Sequence, residues 1–87
     1  MDKMSEEAQE LKESIELIII TAKLMGYQTE NTNTGAWRIV KDGKQYLRFN
    51  IVLGIMLVVT DEKYNQHILH KNHQEKLTYL QKVLEEL

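Results

Sequence analysis

The sequence predicts an α+β fold, with a helix at each end of an antiparallel meander of three or four strands, and three observations carry that reading. Leu11, Ile15, Ile18, Ala22 and Met25 recur at helical spacing near the start, and Leu77, Leu80, Leu84 and Leu87 do so at the end. Between them lie runs rich in Val, Ile, Tyr and Phe. The 87 residues suit one domain, and 43% hydrophobic with 28% charged residues excludes a disordered or fibrous chain.

The first helix is expected over residues 5–25. Ser5 is placed to cap it, Glu6 and Glu7 fall in the first turn where the dipole favours acids, and Gly26 supplies a left-handed exit. Leu17, Ile20 and Leu24 form a second stripe, more than about 100° from the first, so this helix is apolar on two sides. Either the second helix covers that stripe, or a second subunit or another partner does. Residues 27–35 are polar and free of periodicity and read as a loop, with Tyr27 anchored to the core just past the helix.

Strands are expected near 36–41, 45–52 and 55–60. Trp37, Ile39, Leu47, Phe49 and Ile51 are odd-numbered, whereas Arg38, Val40, Tyr46, Arg48 and Asn50 are even, so the faces separate only if cross-strand partners share parity. A two-residue turn at Asp42-Gly43 would mix them. The expectation is therefore an odd-length loop with Gly43 left-handed, Trp37 opposite Leu47 and Arg38 opposite Tyr46. Ile51 to Val59 is unbroken by polar residues, as in a strand buried on both faces, and Gly54 marks either a tight turn within it, the preferred reading, or a bulge in one long strand. Nine residues fall far short of the roughly 20 needed to cross a bilayer, so no membrane span is expected. Residues 66–70 form a fourth strand after a turn at Asp61 to Asn65, unless one long helix begins near residue 62. Asn72 with Glu75 resembles a capping box and starts a helix over 73–87. Both helices are expected on the Trp37, Ile39, Leu47 and Phe49 face.

The order helix, three strands, helix resembles that of the double-stranded RNA-binding domain. That family carries a basic tract at the start of its second helix, whereas here the third strand is followed by Asp61-Glu62, so the resemblance ends at element order.

Chemistry finds little support. The absence of cysteine excludes disulfides, thiol catalysis and thiolate metal sites and gives no sign of an oxidising compartment; the acidic, polar start is not a signal peptide, so a cytoplasmic location is expected. His67, His70 and His73 are spaced by three, not the i, i+4 of helical zinc sites, and read as surface histidines, leaving a metal or enzymatic role as an outsider. Ser5 and Ser14 lie in no nucleophile motif and no glycine-rich phosphate loop is present, so neither an enzyme nor a cofactor is expected.

Charge is uneven: residues 1–30 carry net −4, residues 31–60 net +3 and residues 61–87 net −1. Positive charge therefore gathers on the hairpin, where Arg38, Tyr46 and Arg48 share the even face and Lys41 and Lys44 flank the tip. Arg and Tyr dominate binding energy at interfaces, and Arg beside an aromatic platform also suits single-stranded nucleic acid. The leading expectation is a small non-catalytic protein-binding module, such as a regulator, adaptor or inhibitor; the alternative is nucleic-acid binding through the same face. The two-sided apolar helix further predicts a homodimer through Leu17, Ile20 and Leu24.

Overall fold

A computed structural model of the chain describes residues 6–32, 35–70 and 72–87. It contains α1 (Glu6–Leu24), β1 (Gln28–Asn31), β2 (Trp37–Lys41), β3 (Lys44–Val52), β4 (Met56–Thr60), β5 (Gln66–Leu69) and α2 (His73–Glu86). The five strands form one antiparallel sheet in the order β1-β2-β3-β4-β5, and both helices pack on one of its faces. The predicted cap at Ser5 lies outside the described residues.

Parity explains which face is covered. Trp37, Ile39, Phe49, Leu57 and Val59, all odd-numbered, are buried with Leu11, Ile15, Ile18 and Ala22 of α1 and Leu80 of α2. Leu47, Ile51 and Leu69 pack partly against this cluster from the same face. Away from the β2–β3 turn, the even-numbered strand residues point the other way, where no element covers them.

The ends of the helices follow their sequence signals. Gly26 at φ 97° lets the Tyr27 N–H reach back to the Ala22 carbonyl at 2.9 Å, closing α1 and pinning Tyr27 against the core. Asn72 Oδ1 accepts from the Glu75 N–H at 2.9 Å, the expected cap of α2, and the Asn72 side-chain amide, rather than its backbone N–H, donates to the Glu75 carboxylate at 3.3 Å.

Three expectations are corrected. Residues 27–35 do not form a loop throughout: Gln28–Asn31 is an edge strand paired with Trp37–Lys41. An edge strand needs only backbone partners on one side, so Gln-Thr-Glu-Asn lacks the apolar alternation that would announce it. The β2–β3 turn is the rejected two-residue one, Asp42 and Gly43 at φ 53° and 77°, with Lys41 opposite Lys44. Segregation of the faces survives because the register shifts between Ile39 and Val40: Val40 faces Gln45 while Ile39 faces Leu47, leaving Tyr46 as the extra residue of a bulge. Trp37 therefore faces Phe49 rather than Leu47, and Arg38 faces Arg48 rather than Tyr46. Finally, β4 is not buried on both faces. Leu57 and Val59 are buried, but Met56 and Val58 are only half-buried on the uncovered side.

The turn at Gly54 is present, spanning Leu53 to Ile55, and β5 confirms the expected strand after Asp61 to Asn65 in place of a long helix. Asp61 organises the latter turn, its carboxylate accepting from the N–H groups of Lys63 and Asn65 at 2.9 and 3.0 Å.

Candidate binding face

The uncovered face is built from rows of directly paired residues. Glu30, Arg38, Arg48, Thr60 and Gln66 are successive partners across all five strands. Next to this polar row runs Asn50, Val58 and Ile68, and beyond it Val52 opposite Met56. The face thus grades from polar to apolar along the strands, and at its apolar end stands the β3–β4 turn, with Leu53 86% and Ile55 59% exposed.

Two arginines side by side repel, and the row handles them unequally. Arg38 forms an ion pair with Glu30, and its Nε donates to Gln45 Oε1 at 3.2 Å. Gln45 occupies this position because the bulge turns it onto the open face. Arg48 has no ion-pair partner among the described residues. Its guanidinium borders a shallow depression of about 380 Å³ between Asn50, Val58, Thr60 and Tyr64. The row therefore offers one uncompensated cation beside apolar surface.

The predicted site residues separate. Arg38 and Arg48 lie on the open face, but Tyr46 does not accompany them: its ring stacks on Tyr27 at 5.5 Å and packs against the core. Lys41 extends over the Tyr27 ring at 5.7 Å, on the helix side of the sheet, and Lys44 pairs with it at the exposed tip. Leu17, Ile20 and Leu24 lie on the outer side of α1, 51%, 55% and 84% exposed, so α2 does not cover them.

Three contributors were missed by sequence reasoning. Tyr64 stands 69% exposed at φ 63° in the β4–β5 turn, a position with no periodicity to mark it. Val58 and Ile68 could have been found by carrying the even parity through the turns into β4 and β5.

The histidines do not converge. His67 Nε2 lies 3.2 Å from the Asp61 carboxylate and its ring 6.5 Å from that of Tyr79. His73 instead sits near Glu7 and Glu10 of α1, at 3.9 and 3.7 Å. Among the described residues no group of three or more His, Asp or Glu side chains is placed to hold a metal ion. Hydrogen bonds from the Asn65 N–H, then from His67 and the Lys63 N–H, hold the Asp61 carboxyl below its usual range. Burial, reinforced by the charges of Asp61 and Glu86, pushes the Tyr79 phenol up.

The chain matches no family model, no curated protein and no solved structure. No helix among the described residues is long and apolar enough to cross a membrane.

Proposed function

We propose that this chain is a non-catalytic protein-binding module that docks its partner on the open face of the sheet. The observation that carries this reading is the arrangement of that face: Val52, Met56, Val58 and Ile68 lie in adjoining rows beside Arg48, uncovered by either helix. An apolar centre with a flanking unpaired guanidinium is the composition that supplies binding energy between proteins. Nucleic acid is favoured less, because Glu30 neutralises Arg38 and Lys41 and Lys44 lie off the face.

Affinity capture from the source cell tests it. Protein should be retained by the parent chain and lost with Val58→Asp or Arg48→Glu, survive nuclease treatment and resist moderate salt. Nucleic acid recovered in place of protein, with retention falling steeply as salt rises, would favour phosphate contacts instead.

A further inference from the structure

The outer side of α1 carries a pattern that the docking face does not use. Glu6, Glu10, Glu13, Leu17, Ile20 and Leu24 recur at 4, 3, 4, 3, 4, the 3.5-residue period of a helix-pairing seam, on the side opposite the buried Ala8, Leu11, Ile15, Ile18 and Ala22. The seam is acidic in its first half and apolar in its second. Glu16 and Lys23, one heptad apart, flank it on the side of β1, where both line the same groove beside Ile20. Neither has an ion-pair partner among the described residues.

We infer that α1 pairs antiparallel with α1 of a second copy of this chain, packing Leu17 of each copy on Ile20 of the other and setting each Glu16 beside the other copy's Lys23. In an antiparallel pair, flanking residues on one side of the seam meet their own kind across the two-fold axis. With Leu17 on Ile20, that geometry brings Glu16 to Lys23 twice, and Leu24 lies over the stem of Glu13. Sliding one heptad in one direction opposes Lys23 to Lys23; sliding the other way opposes Glu16 to Glu16. In a parallel pair, Glu16 would meet Thr21 and gain no countercharge. Charge therefore selects a single register, and the apolar half of the seam is centred in it. The acidic first turns project away from one another at the two ends, which limits self-repulsion and explains why the seam is apolar only in part.

The contact spans three helical turns, small for a permanent dimer, so dissociation in the micromolar range is expected. Sedimentation equilibrium of the full chain over nanomolar to high micromolar concentrations provides the test, with circular dichroism to check that each variant is folded. The parent chain should dimerise, and Ile20→Glu should be monomeric with a thermal midpoint equal to that of the parent diluted below its dissociation constant. Glu16→Lys and Lys23→Glu should each weaken dimerisation by roughly tenfold, since each turns two attractive pairs into two repulsive ones. The double variant Glu16→Lys/Lys23→Glu should return to within a few-fold of the parent. A parent chain that stays monomeric throughout, charge variants that dimerise normally, or a double variant no better than the singles would each overturn the pairing.

Discussion

Leu53 occupies a position that costs stability. Its φ of 58° is left-handed, a region where the Cβ of an L-residue crowds the following carbonyl at a cost of roughly 1–2 kcal/mol. Its side chain is 86% exposed and so returns little by burial. Asn tolerates the left-handed region through local hydrogen bonding, so Leu53→Asn should raise the free energy of unfolding by about 0.5–1.5 kcal/mol. In a chain of this length that is several degrees in thermal midpoint. Urea titration followed by Trp37 fluorescence measures it, with an unchanged m-value expected because the buried area is the same. If the open face docks a partner as proposed, the same variant should also weaken partner capture, because Leu53 stands exposed at the apolar edge of that face. Loss of more than about 0.5 kcal/mol on Leu53→Asn would show that the leucine contributes to the free protein's own packing, and the reasoning would fail.

Other consequences follow from the two faces and the caps. Phe49 and Arg48 are neighbours in sequence but not in role: Phe49→Ala should cost about 3–5 kcal/mol by emptying the core, whereas Arg48→Ala should stay within about 0.5 kcal/mol, both read by urea denaturation. Tyr46→Ala should destabilise by about 1 kcal/mol through its lost stack on Tyr27, a cost that a plain open-face tyrosine would not carry. Asn72→Ala removes the cap of α2 and should cost about 1 kcal/mol in the same assay. Because the folded Asp61 carboxyl titrates below the ordinary 3.8, its stabilising effect is present above that pH and is lost as pH falls through the lower folded value. Asp61→Asn should flatten that part of the acid-unfolding curve, and carboxyl NMR titration should place Asp61 below 3.8.

Much of the fold was legible because the signals were redundant. The end of α1 and the start of α2 carried cap signals and both helices a stripe, and the odd-even pattern sorted Trp37 to Val40 and Leu47 to Ile51 onto the correct faces. What parity could not show was how it was kept. A three-residue loop and a two-residue loop followed by a bulge leave the same faces for Trp37 to Val40 and for Leu47 to Ile51, and only the second frees Asp42 and Gly43 to adopt the turn their residue types prefer. That difference moved Tyr46 off the open face and Gln45 onto it. The strand at Gln28–Asn31 was invisible because edge pairing is a backbone property, and that strand brings Glu30 to Arg38. The positive charge read along the sequence is thereby halved on the open face, a change that depends on contacts far apart in the chain.

Docking of partners on the uncovered face of the sheet is the proposed role. Amide and methyl NMR of the labelled chain, free and bound to the captured partner, tests it most directly. Perturbations are expected at Arg48, Asn50, Val58, Tyr64 and Ile68, with Leu53 and Ile55 joining at the apolar end and the Leu11, Ile15 and Leu80 signals left in place. Perturbations confined to α1 and α2, with Arg48, Val58 and Ile68 unmoved, would contradict it.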